Sequence, residues 1–170
     1  MKKKIGILIL GGSLLWGSNL IKDNRFFLGV EGGGVKIESA KTGMVNLKWG
    51  YDYYISNPLQ FSNRISLSVM RLAGVVRDIH GVELHYDFIF NNFGRVVHPY
   101  LGVLGGFGFR YRNGNNVDRD FFTYGGELGF LLYLGDHWEV EVGGALNTAS
   151  DDGKWNHPLQ RYFVGVNYCF

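Results

Sequence analysis

Apolar and polar residues alternate along most of this chain, and turn-forming residues interrupt the alternation at regular intervals. A period of two is typical of β-strands, because successive side chains point to opposite faces of a sheet. The pattern predicts eight strands and no helix. Their approximate spans are 25–37, 43–56, 59–71, 79–90, 98–112, 120–134, 138–148 and 158–170.

The second predicted strand shows the alternation most clearly. Its apolar face carries Val45, Leu47, Trp49, Tyr51 and Tyr53, and its polar face carries Asn46, Lys48, Gly50 and Asp52. Water-soluble and membrane-embedded barrels both produce this alternation, so it does not say which face points outward. Strand length favours the membrane, since a tilted strand needs about 9–11 residues to cross a bilayer and strands in soluble proteins more often have about 5–6.

The two ends of the chain support a membrane location. The last strand places Tyr162, Val164, Val166, Tyr168 and Phe170 on one face and ends on the last of these, as a lipid-facing strand with interfacial aromatics does. At the other end, three lysines at positions 2–4 precede an apolar run and the small residues Gly17 and Ser18, which is the pattern of a secretory signal. We expect a signal peptide over 1–17 and a barrel over 18–170; a short membrane anchor or buried helix is the alternative for the apolar run.

Composition and charge narrow the class of protein further. The chain has 17 Lys+Arg against 15 Asp+Glu, and without the three signal lysines it has 14 against 15, so no nucleic-acid partner is expected. With 26 glycines, 16% aromatic residues and a mean hydropathy of −0.03, it is too aromatic for a disordered chain and lacks the long apolar runs of a helical membrane protein. Cys169 is the lone cysteine, so no internal disulfide can form.

The connections between strands alternate in character, as expected for a chain that passes up and down between two unlike sides. We expect residues 56–58, 91–97 and 135–137 on a periplasmic side, and 38–42, 72–78, 112–119 and 147–157 on the outer side. Aromatic girdles are predicted at both rims, although a soluble core would also use aromatics. One girdle comprises Phe26, Phe90, Phe93, Tyr133, Trp138, Tyr168 and Phe170, and the other Tyr111, Phe122, Tyr124 and Trp155.

The polar faces of the strands predict an ionic interior. Side chains fill the lumen of an eight-stranded barrel, and charges placed there must pair or hold water. By alternation, the inward residues include Glu31, Lys48, Asp52, Arg64, Glu83, His85, Asp87, Arg110, Glu127, Glu139, Glu141 and Arg161. We interpret this set as a structural polar plug; the alternative is a narrow gated ion path.

No catalytic constellation is evident. Nucleophilic catalysis needs a serine with a histidine base and an orienting acid, but the five histidines are scattered and none lies two residues from a serine on one strand face. His85 between Glu83 and Asp87 is the single tight cluster, and it fits either a metal or proton site or a salt-bridged lumen row. The sequence therefore predicts no catalytic residue, no metal and no cofactor.

Three segments carry a family resemblance: 99–108, the Gly-Asp-His-Trp turn at 135–138 leading into 139–143, and the ending 164–170. They resemble the small OmpA/OmpX-type outer-membrane barrels over essentially the whole region after the signal, and the later segments are also similar to the barrel region of the Helicobacter outer membrane protein family. The resemblance implies an all-β, eight-stranded antiparallel up-and-down transmembrane β-barrel in a bacterial outer membrane. It also implies contact with outer-membrane lipid and lipopolysaccharide, and a terminal aromatic strand that the barrel-assembly machinery reads during insertion.

The resemblance transfers no catalytic residue, because none matches. The first functional hypothesis is a non-enzymatic surface barrel with a structural or ligand-contact role through its outer loops. The second is a lipid A or phospholipid hydrolase, which requires a Ser–His pair to come together in the fold. A third is a secreted soluble barrel that binds a small apolar ligand.

Overall fold

A computed structural model describes residues 24–37, 40–54, 61–73, 78–93, 95–112, 116–151 and 154–170. The predicted signal peptide lies outside them. The strands are β1 (Arg25–Ile37), β2 (Ala40–Tyr54), β3 (Phe61–Ala73), β4 (Asp78–Phe90), β5 (Val97–Arg112), β6 (Asn116–Tyr133), β7 (Trp138–Asp151) and β8 (Lys154–Cys169), with a short 3₁₀ helix over Asn91–Phe93. Among these described residues no helix has the length and apolar character needed to span a bilayer.

The eight strands form one closed antiparallel barrel in which each strand pairs with its neighbours in sequence. The seam between the first and last strands closes it: Val30 on β1 pairs with Val166 on β8 and with Leu47 on β2. At one end of the seam Phe27 pairs with Cys169, whose free thiol is buried. Closure removes every unpaired sheet edge. The predicted eight-stranded up-and-down barrel is confirmed.

The two ends of the barrel differ in their connections. We call the end with connections 55–60, 91–96 and 134–137 the turn end, and the end with connections 38–39, 74–77, 113–115 and 152–153 the loop end. The expected long loops over 112–119 and 147–157 are wrong as loops, because β5, β6, β7 and β8 continue into them. The β7–β8 ladder runs on to the pair Asp151 and Lys154, since an antiparallel hairpin needs only about two connecting residues and asparagine and aspartate do not prevent a ladder.

The β5–β6 hairpin extends past its neighbour on one side at the loop end. β4 accompanies β5 up to the pair of Asp78 and Tyr111, whereas β6 begins at Asn116 and first pairs with β7 at Phe122. At about 3.4 Å per residue, β6 therefore extends about 20 Å along the strand beyond its ladder with β7. The loop end thus carries a hairpin that projects on its β7 side.

The exterior is apolar and the ionic residues point inward. Exposed outward side chains include Leu28, Val30, Leu47, Val69, Leu84, Leu101, Val103, Leu128, Phe130, Val142 and Val166. The polar residues that alternate with them are buried. This distribution is the inverse of a soluble barrel and suits a sheet surrounded by lipid. The strands, of 13 to 18 residues, are long enough to cross a bilayer.

The interior is apolar near the loop end, which the alternation alone did not predict. The loop-end cluster draws on six strands and consists of Val35, Met44, Met70, Leu72, Leu104, Ala145, Leu159 and Phe163. The turn-end cluster comes from β4, β5 and β6 alone and consists of Ile89, Tyr100, Leu131 and Tyr133. The loop-end cluster therefore forms an apolar layer across the lumen, whereas at the turn end the charged Arg25 lies beside the apolar cluster.

Tyr133 was predicted in an outward girdle, and this is wrong. It is 4% exposed and shares the inward face of β6 with Leu131. Its ring contacts His98 at 5.0 Å between centroids, and the Arg25 guanidinium lies 4.5 Å above it. Other predicted girdle residues point outward at the turn end, where Tyr168 packs between Trp138 and Phe170. The side chain of Trp155 lies outside the described residues.

Inward glycines let neighbouring strands and side chains approach closely. A methyl group at the buried Gly106 would collide with the Val82 carbonyl oxygen and with Glu83, whereas one at the exposed Gly32 would meet no atom within 4 Å. We expect G106A to lower the free energy of unfolding by about 1–3 kcal/mol and G32A to change it little. The measurement is the temperature at which the fast-migrating folded band disappears from unboiled gels; equal effects of the two variants would contradict this role for Gly106.

Candidate functional site

On the turn-end side of the loop-end cluster lie buried polar and charged side chains, here called the lumen ionic network. Nearly all of the predicted inward residues are buried there: Glu31, Lys48, Asp52, Arg64, Glu83, His85, Asp87, Glu127, Glu139, Glu141 and Arg161. Arg110 differs, because it is half-buried near the loop end of β5, where it pairs with Ile79. The network joins side chains from opposite walls of the barrel.

Arg64 is the most highly connected member of the network. On one side its Nε and Nη2 donate to Asp52 at 2.6 and 2.9 Å. On the other, its Nη1 and Nη2 each donate to Glu139 at 2.8 Å. The guanidinium also lies 4.1 Å from the ring centroid of Phe27. Arg25 contacts the same two carboxylates at 3.2 and 3.1 Å, so two cations neutralise two acids near the turn end.

Lys48 forms a second centre one level further toward the loop end. Its Nζ lies 3.0 Å from Glu141 Oε1 and 3.2 Å from Glu31 Oε1. Tyr100 donates its hydroxyl to Glu141 at 2.7 Å, and Asn46 donates to Glu31 at 2.8 Å. These contacts tie β2 to β7 and β1 across the lumen. A lysine taken out of water in this way must have such partners, because an unpaired buried charge is costly.

A third centre brings a serine, a histidine and a glutamate into line. Oγ of Ser68 on β3 lies 2.9 Å from Nε2 of His85 on β4, and Nδ1 of His85 lies 2.6 Å from Oε1 of Glu127 on β6. This is the order of nucleophile, base and orienting acid found in serine hydrolases. Residue spacing along one strand could not reveal this arrangement, because it depends on the register between β3 and β4. That register places Ser66 opposite His85 and Ser68 diagonally from it.

Burial limits what this Ser–His–Glu arrangement can do. Ser68, His85 and Glu127 are 0%, 2% and 2% exposed. A catalytic serine must contact its substrate, whereas Ser68 contacts other lumen side chains. As it stands, the arrangement is an internal hydrogen-bond relay.

The row Glu83, His85 and Asp87 does not act as one cluster. Glu83 pairs with Arg161 at 2.5 Å and accepts from Thr123 at 3.1 Å. His85 lies much closer to Glu127, at 2.6 Å, than to Glu83, at 3.8 Å. Within the described part of the chain, no group of three or more His, Cys, Asp and Glu side chains is arranged to hold a metal ion.

Sequence reasoning missed several members of the network. They include Arg25, Asn46, Asn63, Ser66, Ser68, His98, Tyr100, Thr123, Asn147 and Asn167. Each lies on the inward face of its strand, so strict alternation applied to every polar and charged residue would have found them. Asn167, for example, donates to Glu139 at 2.6 Å.

The terminal stripe lies on the opposite, lipid-facing side of β8. Tyr162, Val164, Val166, Tyr168 and Phe170 are all exposed there. Beyond the last residue of the strand, the Phe170 N–H donates to the Phe26 carbonyl oxygen at 2.9 Å. The final residue therefore extends the seam between the first and last strands by one hydrogen bond.

Arg64 offers a test of the network. We expect R64M to lower the free energy of unfolding by about 3–5 kcal/mol, because Asp52 and Glu139 lose their forked partner while remaining buried. R64K keeps the charge without the planar fork and should fall between R64M and wild type. Urea unfolding in detergent micelles measures both. R95M, at an exposed arginine near the turn end, is the matched control, and R64M as stable as R95M would contradict the assignment.

The chain matches no protein-family model and no curated protein. Among solved structures it is similar to Neisserial surface protein A, with a TM-score of 0.68 and 14% identity over 88% of this chain and 100% of that one. Ail of Yersinia pestis gives a TM-score of 0.54 and 17% identity, covering 86% and 97% of the two chains. The outer membrane enzyme PagL gives a TM-score of 0.54 and 15% identity, covering 83% and 97%.

These similarities confirm the fold of the small outer-membrane barrels predicted from the sequence. They do not bear on the narrower similarity to the Helicobacter family, which stays a prediction. Barrels of this fold include an enzyme as well as surface proteins, so the fold by itself does not decide activity. An apolar exterior, an ionic interior and this shared fold are the features of an integral protein of a bacterial outer membrane.

Proposed function

We propose that this protein is a non-enzymatic integral barrel of the outer membrane, with a structural or surface-contact role. The observation that carries the proposal is the closed packing of the lumen. Cross-barrel ion pairs fill its middle, and the loop-end cluster, which draws on six strands, covers them on one side. An ion passing through would have to cross this apolar layer and break buried salt bridges, so the packing argues against a gated pore.

Other molecules therefore contact this protein on the outer surface of the barrel. We infer that the loop end faces the cell exterior, because outer-membrane barrels carry their larger projecting elements outside, and the β5–β6 hairpin extends beyond its ladder with β7 at this end. The apolar belt contacts outer-membrane lipid and lipopolysaccharide. A surface ligand of unknown identity would meet the projecting hairpin; Ail, a barrel of the same fold, has been crystallised with the heparin analogue sucrose octasulfate.

One observation favours a second candidate, an acyl hydrolase acting on lipid A or phospholipid. Ser68, His85 and Glu127 have the distances of a nucleophile, a base and an acid, and PagL shows that this fold supports an enzyme. To reach Ser68, an acyl ester would have to pass between strands of the closed wall. That step would break ladder hydrogen bonds in an apolar medium, which makes the hydrolase the weaker candidate.

Lipid analysis separates the two candidates. We expect the lipid A and phospholipids of a deletion strain to have the same mass spectra as those of strains that carry wild type or S68A, because Ser68 is sealed from lipid. S66A is the matched control, since Ser66 is an equally buried serine without the His85 contact. An acyl chain lost with wild type and with S66A, but retained with S68A, would establish the hydrolase and contradict the main proposal.

We also propose that the terminal stripe of β8 is read by the barrel-assembly machinery. Its support is the uninterrupted lipid-facing row of apolar and aromatic side chains that ends on Phe170. Because β8 pairs with β1 to close the barrel, a signal on β8 lies next to the seam that the machinery must close.

Deletion of Phe170 tests this role. We expect the deletion to reduce heat-modifiable protein in the outer membrane several-fold while export across the inner membrane is unchanged, because an assembly defect acts after export. F93A removes another exposed aromatic from the turn end and serves as the control. Normal outer-membrane levels of the Phe170 deletion, or an equal loss in F93A, would argue against a terminal signal.

A further inference from the structure

Two lysines face each other on the outer surface at the loop end. Lys36 on β1 and Lys41 on β2 are direct cross-strand partners, and both are exposed. Like charges placed directly opposite each other destabilise a sheet. On its other side Lys36 pairs with the uncharged Gln160. Among the described residues, neither lysine forms an ion pair with a carboxylate.

The height of this lysine pair on the barrel places it at a membrane interface. Lys36 shares the outward face of β1 with Phe26, and Lys41 shares that of β2 with Tyr51; Phe26 and Tyr51 pack together at the turn end, 4.7 Å between ring centroids. Each lysine is about 33 Å along its strand from its aromatic. For strands tilted by about 40° this is about 25 Å along the barrel axis, the height of the apolar band of such barrels.

Outward glycines leave the barrel surface between the lysine pair and the middle of the membrane with few projecting side chains. Gly32, Gly34 and Gly43 face outward there, and added methyl groups at Gly32 and Gly43 would meet no atom within 4 Å. The exposed Tyr162 and Val45 stand on either side of these glycines. The result is a shallow apolar trough that leads from the hydrocarbon level up to two ammonium groups.

We propose that Lys36 and Lys41 bind the phosphate groups of a lipid in the outer leaflet, with its acyl chains against the glycine trough. A phosphate oxygen accepts hydrogen bonds from both ammonium groups, which removes the repulsion between them. Phosphorylated lipid A is the ligand expected at this height, and this assignment rests on the proposed orientation of the loop end.

Binding of defined lipids to the purified barrel in detergent tests the site. The probes are lipid A with both phosphates, lipid A with its phosphates removed, and inorganic phosphate, each followed by native mass spectrometry. We expect wild type to bind phosphorylated lipid A about 30-fold more tightly than the dephosphorylated form, since each lysine contributes about fivefold near an anionic lipid surface. K36Q/K41Q should bind it about 30-fold more weakly than wild type does, and K36R/K41R should retain binding.

R95E is the matched control, because it makes the same change in net charge at the exposed turn end and should bind as wild type does. Heat modifiability verifies that each variant is folded. Wild-type affinity in K36Q/K41Q, an equal loss in R95E, or competition by inorganic phosphate would each overturn the proposal.

Labelling of K41C on intact cells by an impermeant thiol reagent tests the orientation of the barrel separately. Failure to label contradicts the proposed function even where lipid binding is retained. Lost lipid binding contradicts this site even where labelling succeeds.

Discussion

The structure depends on pairing charges that have been removed from water. An ionised side chain inside a barrel has neither bulk water nor a flexible backbone to turn to, so its counter-charge must arrive from another strand at the right level. Arg64 shows how demanding this is: Asp52 comes from the neighbouring strand, while Glu139 comes from the opposite wall. The pairing with Asp52 needs only the register between β2 and β3, whereas the pairing with Glu139 forms only when the opposite walls face each other. Full neutralisation of these buried charges therefore requires the closed barrel.

The same constraint explains where the protein can interact with anything else. Cross-barrel ion pairs fill the middle of the lumen next to the loop-end cluster, and they surround a serine, a histidine and a glutamate at hydrolase distances. Side chains that are capable of catalysis can therefore serve as structural elements when substrate cannot reach them. Recognition is left to the outward face and the loop end, where the lysine pair and the projecting hairpin lie.

Much of the fold could be predicted from the sequence because alternation is a local property. The span of β1 was predicted to the residue, and parity assigned Lys48, Glu83 and Glu141 to the interior. What could not be predicted depends on register between strands. The contact of Ser68 with His85 needs the β3–β4 offset. The inward Phe163 and Met70 have the alternation of lumen residues, and only their level along the axis makes them part of an apolar layer.

The seam between the first and last strands also hides the one thiol of the chain. Cys169 is 1% exposed and lies opposite Phe27, so it is covered only once β1 and β8 have joined. Before that stage nothing from β1 lies over it. The reactivity of this thiol therefore distinguishes an open sheet from a closed barrel. An alkylating reagent can be used to time barrel closure without any engineered label.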